Sequence, residues 1–380
     1  MNERQSRTVA MIATYPPTLC GIATFAAALR SGLVALGDDV GIVRVGGDAG
    51  DPTTDIAAEL YSMPGRLSAG AADALDCADV VIVQHEYGIF EGPDGDSIVA
   101  VLEDIDRPTI VVAHTVLERP TEHQRTVLED VVRLADAVVV MTEAGRARLC
   151  HGFDVDPTKV SVIPHGAAVS TVARPLHPTS RPLLLTWGLL GPGKGIEWAI
   201  DAMSMLRDVN PRPIYQIAGN THPKVAQFEG DRYRDMLVRR TAARKVGVDV
   251  QFDAGYRTLS ELGELISESS IVILPYDSPD QVTSGVLVDA IAAGRPVIAT
   301  AFPHAVELLS SGAGLVVPRQ DPAAMARAIR TVLNSPRLAE SMAAEARRLA
   351  PSLAWPSIAA RYAALGENLL YERAPVSASR

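Results

Sequence analysis

The chain has 380 residues, of which 47% are apolar and 21% are charged, a composition typical of globular proteins with well-supplied cores. This length exceeds one ordinary core, so two domains are expected. The net charge of -10 argues against a nucleic-acid binder that relies on a broad basic face, but it leaves room for a local basic cleft that binds a phosphorylated ligand.

Short apolar runs alternate with helical patterns along the whole chain. Each run is strand-length, rich in Val and Ile, and lacks strong polar alternation, which is typical of parallel strands buried on both faces. Repeated strand–helix units predict right-handed crossovers and doubly wound sheets. The runs are Val9–Ala13, Val40–Val45, Val80–Val83, Thr109–Ala113, Ala137–Met141 and Val160–Ile163, then Leu183–Thr186, Ile214–Ala218, Val248–Phe252, Ile271–Leu274, Val297–Thr300 and Leu315–Val317.

A proline-rich segment at residues 173–182 separates the two sets of runs. Its three prolines disfavour both a helix and a central strand, so we interpret it as an interdomain linker. We therefore predict an α/β fold with two Rossmann-like domains, at residues 1–172 and 173–355. A last helix within 356–380 is expected to return to the first domain. Ligands are expected between the carboxyl ends of the two sheets.

The N-terminal residues, the length of the apolar runs and the cysteines predict a cytoplasmic protein. The polar residues 1–7 lead straight into the first strand, so we expect no signal peptide. No uncharged apolar run reaches the length that would span a bilayer. Cys20, Cys77 and Cys150 are far apart and lack zinc-ligand spacing, so they are expected to be reduced thiols.

The loop after the first strand is the first candidate for ligand contact. Gly21 is expected to open the next helix, with Thr24 in its first turn, so the loop is able to approach a sugar or a phosphate. The segment lacks G-x-G-x-x-G, so the conventional dinucleotide fingerprint is absent. An ordinary turn is the alternative interpretation.

Two further strands of the first half end in polar and aromatic residues. His85, Glu86 and Tyr87 follow the run that begins at Val80, and His114 follows the run that begins at Thr109. A lone histidine is usually a structural residue. Two histidines at the ends of two strands of one sheet favour a pocket.

In the second half, a glycine-rich loop surrounds one lysine. Gly188 opens the loop and Lys194 precedes Gly195. Because the glycines have no side chains, the Lys194 ammonium lies beside accessible backbone, which suits a phosphate. The order of Lys194 and Gly195 does not match a Walker A loop. After the run ending at Phe252, Tyr256 and Arg257 stand in a loop that is able to hold a base.

The segment Gln281–Thr300 reads as a loop, a helix, a tight turn and a buried strand. Thr283, Ser284 and Gly285 stand where the helix should begin, so free backbone N–H groups predict an anion site there. Asp289 follows about one turn later, where it suits the hydroxyls of a ribose. The alternative is a plain α/β unit that Thr283 or Ser284 caps.

Paired aspartates occur three times, at Asp94–Asp96, Asp104–Asp106 and Asp154–Asp156. Such pairs hold metal ions in some sugar-nucleotide enzymes. In an acidic chain three copies are expected by chance, so we assign no metal and no cofactor.

Taken together, these motifs resemble the retaining glycosyltransferases of family 4, over nearly the whole chain and in order. The resemblance rests on the following segments: Cys20–Phe25, Gln84–Phe90, His114–Val116, Val162–Gly166, Gly188–Gly195 and Ser284–Thr300. It implies the GT-B fold, two Rossmann-like domains with a cleft between them. It also implies that a nucleotide sugar is a substrate and that no metal is required.

The chain departs from the family pattern at two places. The family usually has two glutamates separated by seven residues, and this chain has Gln281 and Asp289 there. Asp289 is still able to accept ribose hydroxyls, whereas Gln281 carries no charge and is left to hydrogen-bond the sugar. Leu189 replaces an arginine that the family often pairs with its lysine, which leaves Lys194 as the clear cation of that motif.

The resemblance implies a role for each candidate. His114, Lys194 and Gln281 would act at the reacting centre, with Lys194 stabilising the departing diphosphate. Closure of the domains would exclude water. The donor would contact Gly21, Gly188, Lys194, Tyr256, Arg257, Thr283, Ser284, Gly285, Val286 and Asp289, and the acceptor would contact Thr24, His85, Glu86 and Tyr87.

The expected reaction moves a hexose to a saccharide or glycoside acceptor. GDP-mannose is the preferred donor, because many members of the family are mannosyltransferases, and UDP-glucose is the second choice. Membrane association is expected to be absent or peripheral, and a homodimer stays open. The alternatives are a nucleotide-sugar epimerase or phosphorylase of the same shape, or an inactive sugar-nucleotide-binding protein that lost activity at Gln281.

Overall fold

The computed structural model describes residues 6–46, 55–63, 66–169, 181–255 and 257–373. The chain forms two compact units. The first comprises Met1–Gly166 with Trp355–Arg380, and the second comprises Ala167–Ala354. The proposed linker at residues 173–182 lies almost wholly outside the described residues, so its role stays a prediction.

The first unit is built on a parallel sheet of seven strands. In chain order the seven strands are β1 (Thr8–Ala13), β2 (Asp39–Arg44), β3 (Ile56–Glu59), β6 (Val80–His85), β7 (Thr109–Ala113), β8 (Ala137–Val140) and β9 (Val160–Val162). Between β3 and β6 the chain forms a small antiparallel pair outside this sheet, β4 (Tyr61–Met63) and β5 (Arg66–Leu67). The spatial order is β3-β2-β1-β6-β7-β8-β9. The order reverses between β1 and β6, and ligands bind at this kind of switch point in doubly wound sheets.

Helices connect successive strands of this sheet. They are α1 (Gly21–Ala35), α2 (Ala69–Asp76), α3 (Ser97–Glu103), α4 (Glu122–Leu134) and α5 (Glu143–Gly152). Local sequence sets where they begin. Thr121 and Gln124, for example, form a reciprocal capping box at the start of α4.

The second unit has a six-stranded parallel sheet with the order β12-β11-β10-β13-β14-β15. Its elements are β10 (Leu183–Trp187), α6 (Ile196–Met203), β11 (Ile214–Ala218), α7 (Pro223–Glu229), α8 (Arg232–Ala243), β12 (Val250–Asp253), α9 (Leu259–Glu268), β13 (Ile271–Leu274), α10 (Gly285–Ala292), β14 (Val297–Thr300), α11 (Pro303–Leu309), β15 (Gly314–Val317), α12 (Pro322–Leu333) and α13 (Pro336–Leu353). In chain order the strands run 3-2-1-4-5-6, the Rossmann order.

The last helix, α14 (Trp355–Arg373), belongs to the first unit and packs along α1. A Cβ added at Gly32 of α1 would lie 2.6 Å from the Cβ of Ala359. The two helices therefore approach closely because Gly32 has no side chain. Arg373 near the end of α14 bonds Asp136 through both carboxylate oxygens, at 2.9 and 3.0 Å.

All twelve predicted apolar runs are strands of the two sheets, which confirms two Rossmann-like α/β domains. The sequence interpretation missed β3. Its residues, Ile-Ala-Ala-Glu, are weakly apolar because β3 is an edge strand. The proline-bounded segment Pro351–Pro356 interrupts the helical pattern, since α13 ends at Leu353 and α14 begins at Trp355. Pro351 itself lies in the last turn of α13.

Candidate functional site

In the second unit, the loop after β10 depends on glycine. Gly195 has a φ of +64°, and a Cβ there would lie 1.9 Å from the carbonyl oxygen of Pro275. The carbonyl of Gly193 accepts a hydrogen bond from the Asp277 N–H at 2.9 Å. The glycines thus let this loop lie directly against the chain that leaves β13.

Lys194 lies at the tip of this loop. Its Nζ is 4.4 Å from the centre of the Tyr276 ring, which is buried and packs on Phe302 at a centroid distance of 5.1 Å. The aromatic face positions the ammonium at the carboxyl end of β13, where this sheet architecture binds ligands. Tyr276 is a residue that the sequence reasoning missed.

The helix α10 begins as predicted, with Ser284 as its N-cap. The Ser284 Oγ accepts from the Leu287 N–H at 3.2 Å, and the Ser284 N–H donates to Nδ1 of His304 at 2.9 Å. The predicted anion cradle is therefore narrower than expected, because the amides of Ser284 and Leu287 already have protein acceptors. Gly285 and Val286 keep first-turn amides that have no intrahelical acceptor.

The glycine-rich loop and the start of α10 are neighbours. A Cβ added at Gly188 would lie 3.8 Å from Cγ2 of Val286. Gly188 has a φ of +116°, which favours glycine. The structure thus places two of the predicted donor-binding segments side by side.

Asp289 is half-buried on α10, one turn beyond Gly285. Desolvation of its carboxyl raises the pKa of Asp289 to about 7. A carboxyl that gives up its proton near neutrality is a strong acceptor for hydroxyl donors once a ligand binds.

Gln281 is turned onto its own loop. Its side-chain Nε2 donates to the carbonyl oxygen of Thr283. The direct contact with a sugar that the resemblance implied would require this bond to exchange for one with the ligand. In this structure Gln281 orders the approach to α10.

Arg257 has a protein partner within four residues. Its guanidinium forms an ion pair with Asp253, and this contact, with the Gly255 N–H, holds the pKa of Asp253 below its usual range. Arg257 is thus partly neutralised as a ligand-binding cation. Tyr256 lies outside the described residues.

In the first unit, Gly21 is the first residue of α1, and Cys20 caps the helix by accepting the Ala23 N–H on Sγ at 3.3 Å. Thr24 Oγ1 donates back to the Cys20 carbonyl at 3.4 Å. A Cβ at Gly21 would meet nothing within 4 Å, so the surrounding protein does not itself require glycine here.

His114 is oriented by a neighbour on β6. Its Nε2 lies 2.7 Å from Oε1 of Gln84, and the Phe25 ring packs edge-on at 5.0 Å. Burial, with smaller contributions from His165 and His85, lowers the pKa of His114 to about 3. The imidazole is therefore neutral at physiological pH. Gln84, which the sequence reasoning did not assign to the site, holds it in place.

Three of the four residues predicted to bind an acceptor follow β6, and they behave differently from one another. His85 is completely buried between Tyr87 and Phe90, and burial lowers its pKa to about 4. Its ring therefore does not reach an acceptor in this arrangement. Glu86 is half-buried and accepts from Thr115 Oγ1 at 2.5 Å. The Tyr87 hydroxyl donates to the Gln124 carbonyl at 3.2 Å.

Two features are absent from the described ranges of the chain. No group of three or more His, Cys, Asp or Glu side chains lies close enough there to hold a metal ion. No helix within those ranges is long and apolar enough to cross a membrane.

Both halves of the chain match known family models. Residues 20–170 match the model described as Glycosyltransferase Family 4, and residues 171–349 match the model described as Glycosyl transferases group 1. Together the two matches account for nearly the whole of both units.

Curated relatives are similar at moderate identity. A D-inositol 3-phosphate glycosyltransferase of Corynebacterium glutamicum is 28% identical over 70% of this chain and 68% of its own length. A glycogen synthase of Mycobacterium tuberculosis is 28% identical over 60% of this chain and 53% of its own length. The alignments thus span between about half and two thirds of these relatives.

Solved structures share the fold. Sucrose-phosphate synthase from Thermosynechococcus elongatus has a TM-score of 0.77 at 19% identity, covering 96% of this chain and 100% of that chain. Anabaena HepE in complex with UDP-glucose has a TM-score of 0.72 at 17% identity, covering 95% and 100%. With both halves matched and these neighbours in structure, the chain belongs to the GT-B glycosyltransferases of the family 4 type.

Proposed function

We propose that the protein is a retaining hexosyltransferase that uses a nucleoside diphosphate hexose and needs no metal. The observation that carries the proposal is the meeting of three features in the second unit. Gly188 lies against Val286, Lys194 is held on Tyr276, and Asp289 follows one turn into α10. A cation, helix amides and a carboxylate suit a diphosphate and a ribose.

The proposed catalysis depends on the negative charge that develops on the leaving group. Cleavage of the bond between the sugar and the diphosphate leaves negative charge on the departing diphosphate. Lys194 and the amides of Gly285 and Val286 would stabilise that charge in the transition state more than in the ground state, which lowers the barrier.

The first unit would supply the acceptor side. His114 is neutral, so it acts as a hydrogen-bonding group and not as an imidazolium acid. Glu86 provides a carboxylate that is able to accept hydrogen bonds from the hydroxyls of the sugar acceptor. Saccharides and glycosides, with their many hydroxyl donors, match these groups.

The donor has two candidates. GDP-mannose comes first because many members of the family 4 enzymes that the chain resembles are mannosyltransferases. UDP-glucose comes second, and the complex of the structural neighbour HepE with UDP-glucose favours testing it directly.

A donor panel tests the proposal. Purified protein is incubated with GDP-mannose, UDP-glucose and other nucleotide hexoses, together with a panel of saccharides and glycosides. A glycoside product whose anomeric configuration matches that of the donor, by NMR, supports retaining transfer. Inversion would contradict retention. Loss of activity in EDTA that Mn²⁺ restores would contradict the metal-free reaction.

The same panel separates the other functional classes. A change of sugar configuration without an acceptor would indicate an epimerase, and phosphate-dependent release of a sugar phosphate would indicate a phosphorylase. Tight donor binding without turnover would indicate a binding protein, for which the uncharged Gln281 is the structural argument. Binding is read as thermal stabilisation.

A further inference from the structure

His304 lies in the first turn of α11, and its ring contacts the N-cap of α10. Its Nδ1 accepts the backbone N–H of Ser284 at 2.9 Å, and the residue is only 4% exposed. A backbone N–H only donates, so Nδ1 is the deprotonated nitrogen, and in the neutral ring the proton lies on Nε2. The contact thus specifies one protonation state of the imidazole.

Ser284 is held at two points by this arrangement. His304 fixes its backbone N–H, while its own Oγ caps the Leu287 N–H at 3.2 Å. The amides that lie between these two anchored groups belong to Gly285 and Val286. Both are first-turn amides with no intrahelical acceptor, and Val286 borders Gly188.

The charge of the group that accepts the hydrogen bond from the Ser284 N–H matters as much as its position. An imidazole nitrogen satisfies the Ser284 N–H without adding negative charge beside a site for a diphosphate. A carboxylate at the same place would make the same hydrogen bond, but it would repel the ligand.

We propose that His304 is a positioning residue for the diphosphate, since it anchors the first turn of α10 through a neutral acceptor. The inference rests on the proposed function. It adds a residue that touches no substrate and acts through Ser284 on the amides of Gly285 and Val286.

Four variants test this role by calorimetric binding of UDP and GDP. His304→Asn keeps a neutral acceptor near the Nδ1 position, His304→Asp adds a charge, and His304→Leu removes the acceptor. Val306→Ala, on the exposed side of the same helix, is the matched control. Thermal midpoints of the ligand-free proteins record any loss of folding.

We expect His304→Asn and Val306→Ala to bind the diphosphate within about threefold of wild type. His304→Asp is expected to bind it about tenfold more weakly, a loss of about 1.4 kcal/mol, because the added carboxylate repels the diphosphate. In turnover, His304→Asp should raise the KM for the donor and leave the KM for the acceptor unchanged, a split that a general loss of folding would not give.

Two results would overturn the inference about His304 while the proposed function stands. One is equal diphosphate binding by His304→Asp and wild type, and the other is an equal loss of diphosphate affinity in His304→Asn and His304→Asp. If the wild-type protein bound neither UDP nor GDP, the proposed function itself would fall, and the role of His304 with it.

Discussion

The ammonium of Lys194 lies 4.4 Å from the centre of the Tyr276 ring. Tyr276 is 2% exposed and packs on Phe302, so the cation rests on a rigid face. A cation–π contact of this kind contributes about 0.5–1 kcal/mol at an exposed site, and the N–H donors of the ammonium that point away from the ring are available to a phosphate.

Replacement of Lys194 by alanine should lower kcat by about two to three orders of magnitude, because the charge on the leaving diphosphate loses its cation. The measurement is steady-state transfer with the donor that the panel identifies. Lys245→Ala, which removes an exposed lysine elsewhere in the same unit, should leave kcat unchanged. Near-wild-type turnover by Lys194→Ala would rule out this role.

The pKa of about 7 at Asp289 predicts a pH-dependent stability. Above about pH 4 the unfolded chain has lost this proton, whereas the folded protein keeps it up to about pH 7. The folded state therefore binds more protons, and the free energy of unfolding should fall as the pH rises across that window. Urea unfolding at several pH values measures this slope.

The Asp289→Asn variant is the control, because it cannot titrate and should reduce the slope between pH 4 and 7. The affinity of wild type for UDP and GDP should increase as the pH rises through about 7, because the carboxylate that forms accepts hydrogen bonds from ligand hydroxyls. The affinity of Asp289→Asn should lack this increase. Identical slopes in both proteins would show that the pKa of Asp289 is not raised.

Much of the fold was readable from the chain because buried parallel strands need nearly continuous Val and Ile. The edge strand β3, with Ile56-Ala-Ala-Glu59, carries no such signal, since one side of an edge strand has no neighbouring strand. Lys194, Ser284 and Asp289 were recognisable because glycine, a capping hydroxyl and a helical spacing surround them.

Other parts of the site depend on contacts between distant residues. His304 meets Ser284 across 20 positions, and Gln84 meets His114 across 30. No local pattern encodes either pair. A proline such as Pro303 is typical of the first position of a helix, but it carries no information about what the imidazole of His304 contacts. His85 shows the reverse case, because a strand-end position looked accessible and is fully buried.

The contact between Gln84 and His114 leads to a spectroscopic prediction. Gln84→Glu places a carboxylate beside Nε2 of His114, which favours the imidazolium and should raise the pKa of His114 by a unit or more. NMR titration of the ring nitrogens measures this pKa. Gln84→Met, which offers no comparable acceptor, should leave the pKa low, and an unchanged pKa in Gln84→Glu would mean that the two side chains are not in contact.

Restoring the acid of the family at position 281 should not improve this protein. The Gln281 amide donates to the Thr283 carbonyl, and a glutamate carboxylate has no proton to donate there. We expect Gln281→Glu to weaken UDP or GDP binding several-fold, because the approach to α10 loses its internal hydrogen bond. Calorimetric titration checks this, and tighter binding or faster turnover would contradict it.

Removal of one partner of the buried pair Arg7–Asp38 is expected to destabilise the first unit. Arg7 donates to both carboxylate oxygens, at 3.1 and 2.8 Å, and to the Ala363 carbonyl of α14 at 2.5 Å. Both residues are buried. Asp38→Ala would leave the buried guanidinium with the half-exposed Glu367 carboxylate, 3.5 Å from Nη1, as its remaining counter-charge. It should lower the free energy of unfolding by up to about 3–5 kcal/mol.

Amide hydrogen exchange read by mass spectrometry measures this loss in α1 and α14 separately from the second unit. The exposed pair Arg133–Asp130 supplies the control, since Asp130→Ala should change stability by no more than about 1 kcal/mol. The double variant Arg7→Met with Asp38→Leu should recover much of the loss, because two apolar side chains leave no charge buried. If the double variant were as unstable as Asp38→Ala, packing and not the buried charge would be the cause.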